Sequence, residues 1–329
     1  MTKTTILVAG TGSIGQRHAR LLAEREDVEL WLCDSSRACL DEARKHASCT
    51  RVFEDYDEAL EAGPEIVYVC TPHHLHCSMS VAAFENDCHV FCEKPLAENV
   101  ADGETIVAAA RAAGKILQVG YVMRLHPVVT QLQEMIDAGE LGTIVGGRAL
   151  VGTYFTLMAS RNRFLQQQQD ALILDYTHQP DYLSLLFGQV TRVSAEAATL
   201  GDLPLMQRPN VIAMTLRYDS GALVQLHLDY VQYPNRSILE IFGDRQSVCV
   251  EFDLGQMRFY GHGDEEHRIE KFQIDADKLM RLQDERFLAS VHRGEPIVCT
   301  GADGIAVLRT VKAALQAAQQ LKSIDIKQG

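Results

Sequence analysis

The chain opens on an apolar run, Ile6-Leu7-Val8-Ala9, that leads without a break into Gly10-Thr11-Gly12-Ser13-Ile14-Gly15 and then a helical stretch over residues 16–26. A short uninterrupted apolar run reads as a strand buried on both faces, the kind found in parallel sheets. Glycines at this spacing, with a strand before and a helix after, make the turn that brings a dinucleotide pyrophosphate to a helix amino terminus. Gly10 permits the tight turn, Gly12 leaves room for the pyrophosphate, and Gly15 lets helix and strand pack closely. The N–H groups around Ser13 and Ile14 supply donors to the phosphates.

A second strand over residues 28–33 ends in Asp34, nineteen residues after Gly15. An acid there accepts from both ribose hydroxyls and favours NAD. Ser35, Ser36 and especially Arg37 offer groups for a 2′-phosphate, so NADP stays open. Further strands are expected at 65–70, 89–92 and 116–120, separated by helices at 79–84 and 101–113. That alternation means βαβ units and a parallel sheet. The strand over 89–92 ends in Glu93-Lys94-Pro95, and in open α/β sheets ligands sit outside the carboxyl ends of strands. Lys94 is thus the best-placed base in the chain, since partial desolvation draws a lysine pKa towards neutrality. Thr71-Pro72-His73-His74-Leu75-His76-Cys77 lies on the same edge. Its histidines and cysteine suit zinc in type, but no second cluster has metal-ligand spacing, and we expect no metal.

Beyond residues 121–127 the pattern changes. Strands follow at 142–155, 190–197, 211–217, 222–231, 237–242 and 247–252 with short turns, reading as a mostly antiparallel sheet with one face to be covered by helices or another subunit. A last helix over 302–321 carries Ile305, Leu308, Val311, Leu315 and Ala318 along one side. We expect a Rossmann domain over 1–122 and a substrate-binding, oligomer-forming α+β domain over 123–329. The glutamines at 166–169 are expected in a mobile surface loop.

A second constellation is Leu174-Asp175-Tyr176-Thr177-His178-Gln179-Pro180. Asp175 and His178, three apart on a helix, share a face, where the carboxylate fixes the imidazole tautomer and raises its basicity. Pro180 works against one continuous helix, since it removes a donor and kinks or starts a helix. A solvated face or a cap would place the same two residues there without chemistry.

Composition narrows the function classes. At 329 residues, 47% hydrophobic and 23% charged, the chain has the make-up of an ordinary globular protein of about two domains. A net charge of -13 leaves nothing to track nucleic-acid phosphates. Nine cysteines, an odd number without CxxC spacing, read as reduced thiols in a cytosolic protein. The opening apolar run is too short for a signal peptide or a membrane span, so no export or membrane partner is expected.

Together these stretches resemble the Gfo/Idh/MocA family of nicotinamide-dependent oxidoreductases along nearly the whole chain. The matching pieces are the glycine motif, Thr71-Pro72 with His76, Glu93-Lys94-Pro95, Val119-Gly120-Tyr121 with Arg124 and Pro127, Asp175 with His178, and Thr300-Gly301-Ala302-Asp303-Gly304. The resemblance implies that Lys94 lies beside the nicotinamide and hydrogen-bonds the reacting hydroxyl. His178 matches the family's acid/base and Asp175 its supporting carboxylate, while Thr71, Pro72, His76 and Glu93 belong to the cofactor side. It also implies a cis bond between Lys94 and Pro95.

Two departures stand out. Many relatives carry a glycine triplet where this chain has Gln169-Asp170-Ala171. The Asp-to-His spacing is three instead of the commoner four, as in a branch often associated with bacterial surface sugars, which also resembles Asp229-Tyr230-Val231-Gln232 followed by Arg236. The expected activity is hydride transfer between a nicotinamide and a carbon of a sugar, sugar acid, inositol or nucleotide sugar. Arg124, Tyr154, Arg161 and Arg163 are expected at the substrate, the last two suited to a carboxylate or phosphate. A glycosidase working by transient oxidation and a sugar-sensing regulator are the alternatives; Lys94, Asp175 and His178 speak against the regulator, which needs no proton-transfer set. A homodimer or homotetramer through the second sheet is expected.

Overall fold

The computed structural model describes residues 3–154, 171–201, 209–261 and 266–326. The opening apolar runs become strands: β1 Thr4–Ala9, β2 Val28–Cys33, β3 Arg51–Phe53, β4 Ile66–Val69, β5 His89–Cys92 and β6 Leu117–Val119. They form one parallel sheet in the order β3-β2-β1-β4-β5-β6, with the reversal beside β1 that marks the ligand crevice of doubly wound folds. Register aligns their carboxyl ends. Ala9 pairs with Cys33 and Val69, Val69 with Cys92, and Cys92 with Val119. The residues that follow each strand, Gly10, Asp34, Cys70, Glu93 and Gly120, therefore lie along a single edge.

The chain divides into two compact units, Met1–Leu125 with Asp275–Leu308, and His126–Ile274 with Arg309–Gly329. A single cut after residue 122 misses the return of Asp275–Leu308 to the first unit. Its helix Ala276–Arg293 did not stand out in the sequence, yet it is tied in at several points. Arg17 and Arg20 pair with Asp277 at 2.7 and 2.5 Å. Tyr68 donates to Asp284 at 3.2 Å, and the fully buried Phe287 ring packs 5.8 Å from Tyr68 and 5.6 Å from Phe91. Burying a side chain of that size stabilises by about 1.5–3 kcal/mol, enough to fix the helix on the sheet.

The second unit is built on a nine-stranded sheet in the order β14-β13-β12-β11-β7-β10-β9-β8-β15. Its strands are β7 Ile144–Gly152, β8 Val190–Ala198, β9 Val211–Tyr218, β10 Leu223–Asp229, β11 Arg236–Gly243, β12 Ser247–Glu251, β13 Gln256–Tyr260, β14 Glu266–Lys271 and β15 Ile324–Asp325. β7 and β10 run parallel, and the other pairs are antiparallel. Alternation sorts its faces: Ile212, Met214 and Leu216 with Val224, Leu226 and Leu228 are buried, while Thr215, Arg217, Gln225 and Leu223 between them are exposed. On the buried side the helix His178–Phe187 lays Phe187 against Gly147 and 5.5 Å from Tyr218, which sets where His178 begins that helix.

Candidate functional site

In the first unit the glycine motif has the form a dinucleotide needs. A Cβ on Gly15 would stand 1.8 Å from the carbonyl oxygen of Gly10, so only glycine lets the helix Ser13–Ala23 start this close to β1. A Cβ on Gly12 would meet nothing within 4 Å, and Gly12 and Ser13 are exposed. No side chain caps that helix, which leaves its first N–H groups to an anionic ligand. Asp34 is fixed at the end of β2: Oδ2 accepts from Thr11 N at 2.7 Å and Thr11 Oγ1 at 3.1 Å, and Oδ1 from Ser36 N at 2.8 Å. A carboxylate has about four acceptor positions, so Oδ1 retains capacity for a ribose hydroxyl. Arg37 is exposed and pairs with Asp41 and Glu54. This set fits the adenosine and pyrophosphate of NAD.

The next two strand ends are tied to one another by His76. Its ring reaches the carbonyl oxygens of Pro95 and Thr71, each at 2.9 Å, and it is 1% exposed; burial pushes its pKa below the usual value. His76 thus holds the loop of Thr71 and Pro72 against the loop of Lys94. The Lys94–Pro95 bond is cis, as the resemblance implied. Lys94 is partly buried, and Glu93 beneath it is 8% exposed. Glu93 Oε2 accepts from Lys94 N at 3.0 Å, and Oε1 meets His18 Nε2 at 3.0 Å. A Cβ on Gly120 would stand 2.9 Å from Oε1, so glycine there makes room for the carboxylate. His18 is fully buried, and its Nδ1 lies 3.4 Å from Asp284 Oδ1. Burial alone would push its pKa down, but hydrogen bonding and charge from Asp284 and Glu93 prevail and raise it to about 9. Burial likewise pushes the Glu93 carboxyl up, and His18 and Lys94 hold it below the usual value in spite of that.

His18 and Asp284 escaped the sequence reading. The only signal was a histidine one helical turn past Gly15, on the face that packs against the sheet. Arg124 takes a place in the fold, pairing with Asp303 at 3.3 Å and donating to the Val298 carbonyl.

In the second unit Asp175 and His178 do not share one helix. Asp175 ends the helix Ala171–Asp175, Tyr176 and Thr177 form a turn, and His178 starts the next. Pro180 stands in that helix's first turn, where its missing N–H costs nothing. Asp175 Oδ2 accepts from Tyr230 at 3.0 Å, and Tyr230 is 1% exposed. Burial, with the Asp175 charge beside it, keeps the phenol far above its usual pKa, so it donates at any ordinary pH. Asp229 sets the turn that carries Tyr230: Oδ1 accepts from Val231 N and Gln232 N, both at 2.8 Å, and Oδ2 meets His227 at 3.0 Å. The hydroxyls of Thr153 and Tyr176 bond each other beside it, and the Tyr154 ring packs 4.5 Å from Tyr233. Arg161, Arg163, the glutamines at 166–169 and the Gln169-Asp170 departure lie outside the described residues. Among the described residues no three His, Cys, Asp or Glu side chains are grouped to hold a metal ion.

Comparison with known proteins agrees with this geometry. The model for an oxidoreductase family with an NAD-binding Rossmann fold matches residues 4–121, and that for the GFO/IDH/MocA C-terminal domain matches residues 129–249. Myo-inositol 2-dehydrogenase of Thermotoga maritima is 24% identical over 98% of both chains. The scyllo-inositol 2-dehydrogenase (NAD(+)) of Bacillus subtilis is 25% identical over 90% of this chain and 88% of its own. The fold matches levoglucosan dehydrogenase in complex with NADH at a TM-score of 0.89, with 18% identity and full coverage of both chains. With a glycine cradle, an acid at the second strand end and a lysine at the fifth, and with family models matched on both sides of residue 125, the chain belongs to the Gfo/Idh/MocA family of NAD-binding oxidoreductases.

Proposed function

We propose that the protein is an NAD-dependent dehydrogenase acting on a secondary alcohol of a sugar, sugar acid, inositol or nucleotide sugar. The observation that carries this reading is the fixed end of β5: Glu93 is buried beneath Lys94, accepts its backbone N–H and leaves the lysine at the ligand edge of the sheet. The dehydrogenases similar to this chain act on inositols and levoglucosan, by their names, and so suggest a ring polyol.

Oxidation of such an alcohol removes a hydride from carbon, which a bound nicotinamide takes up, and a proton from oxygen. Lys94 donates a hydrogen bond to the reacting oxygen and stabilises the developing alkoxide. His178 accepts the proton, and Asp175, held by Tyr230, supports the imidazolium formed. Tyr154 is assigned to substrate contact. NAD is preferred over NADP, because Asp34 would repel a 2′-phosphate and Arg37 is engaged by Asp41 and Glu54. A homo-oligomer through the exposed face of the nine-stranded sheet, and a cytosolic setting in keeping with nine free cysteines, complete the reading.

The test is nicotinamide absorbance on mixing the protein with NAD+ or NADP+ and a panel of inositols, levoglucosan, sugar acids and nucleotide sugars. Reduction by the wild type and not by Lys94→Met is expected, and Asp34→Asn should lower the NAD+ preference about tenfold or more. No reduction across the panel, with NADH binding intact, would sink the reading. Light scattering that finds a monomer at micromolar concentration would remove the oligomer.

A further inference from the structure

The first unit contains a buried charged cluster for which the reaction gives no use. His18 sits on the phosphate-facing helix with its ring edge-on to Tyr68 and Phe91, at 5.3 and 5.2 Å between centroids. Both ring nitrogens face carboxylate oxygens, Glu93 at 3.0 Å and Asp284 at 3.4 Å, and ionised carboxylates only accept. Only the Nε2 contact has hydrogen-bond geometry, and Nδ1 stands at ion-pair distance, but two anions flanking a buried ring favour its doubly protonated form. The groups facing the ring from each element packed on it are Tyr68 of β4, Glu93 at the end of β5 and Asp284 of the helix Ala276–Arg293, with the Cys70 thiol, which burial keeps protonated, at the end of β4. Cluster members are 0 to 8% exposed, so water does not share the charge.

We propose that His18 is a positioning residue for Lys94: it clamps one oxygen of Glu93, whose other oxygen holds the Lys94 backbone N–H. The inference rests on the reading of Lys94 as the group that meets the reacting hydroxyl. It joins the helix that receives the cofactor phosphates to the loop that presents Lys94, by a connection of two hydrogen bonds. Without the ring's charge, Glu93 either stays an unclamped buried anion, at a cost in stability and with Oε1 no longer held, or takes up a proton, in which case its bond to Lys94 N weakens to that of a neutral acid.

The experiment compares wild type, His18→Leu and His18→Gln with NAD+ and the best polyol of the panel, and measures NADH binding by fluorescence. His18→Leu should lose about 100-fold in kcat, the scale of a misplacement of about 1 Å at a reacting group, with NADH affinity changed less than about threefold. His18→Gln, which keeps a donor for Glu93, should recover about tenfold of that loss. Unchanged kcat in His18→Leu, or parallel loss of NADH binding and kcat without rescue by glutamine, overturns the clamp. A second arm needs no turnover. Imidazole nitrogen NMR should show His18 doubly protonated at neutral pH, and the Lys94 amide signal should move as the ring titrates near 9. A neutral ring, or a Lys94 amide indifferent to the titration, refutes the proposal even if no substrate is found; a failed panel with both signals present refutes only the functional reading.

Discussion

Two carboxylates stand close in the chain to the two residues we propose for proton handling, and they are held in opposite ways. Glu93 is anchored by a buried cation, His18, while Asp175 is anchored by a buried neutral donor, Tyr230. A cation makes the stronger bond, but its grip depends on a proton that leaves within reach of ordinary pH. A phenol kept far above its usual pKa makes a weaker bond that does not titrate. The Lys94 side thus has the stronger, pH-sensitive anchor, and the Asp175 side the weaker, constant one.

The comparison is broken most severely by removing the proposed proton-handling groups themselves. Lys94→Met and His178→Asn should each lower kcat by about 10²–10⁴-fold while the fold and NADH binding persist, measured by steady-state kinetics and fluorescence. The next largest effect is on stability. His18→Leu leaves two carboxylates buried without their cation and should cost about 3–5 kcal/mol in urea unfolding. The anchors also separate by pH. The folded His18 pKa of about 9 lies above the usual 6.5, so its stabilisation is complete below about pH 6.5 and fades as pH rises through 9. That contribution is on the order of 3 kcal/mol, and the stability gap between wild type and His18→Gln should close across this window. Tyr230→Phe should cost least, about 1–2 kcal/mol, by a margin that stays level over the same range. A Tyr230→Phe deficit that also vanished with rising pH would erase the distinction.

What the sequence made legible was what lies close together along it. The glycine motif, Asp34 and Glu93-Lys94-Pro95 are short signals at strand ends, and the parallel register brings those ends to one edge. Each strand expected in the second half is present, because alternation writes burial directly into the pattern. The anchors were not legible, since each joins residues far apart: Tyr230 and Asp175 are 55 positions apart and Tyr68 and Asp284 are 216. His18 read as one more polar residue in a helix, because nothing local says that two acids will meet its ring. The one-helix reading of Asp175 and His178 failed on a local cue weighed too lightly, the proline that belongs in a helix's first turn. The short edge strand β3 and the hairpin β13–β14 were missed for want of length and contrast.

The return of Asp275–Leu308 to the first unit has a consequence for how the protein is made. A ribosome releases Tyr68, Phe91, Glu93 and His18 long before Phe287 and Asp284, so the sheet must wait with one flank uncovered and its cation short of an acid. A chain halted after residue 125 has every strand of that sheet and lacks the helix that seals it. Completion of the nucleotide-binding half is thereby deferred until the strands β7 to β14 of the other unit have been synthesised.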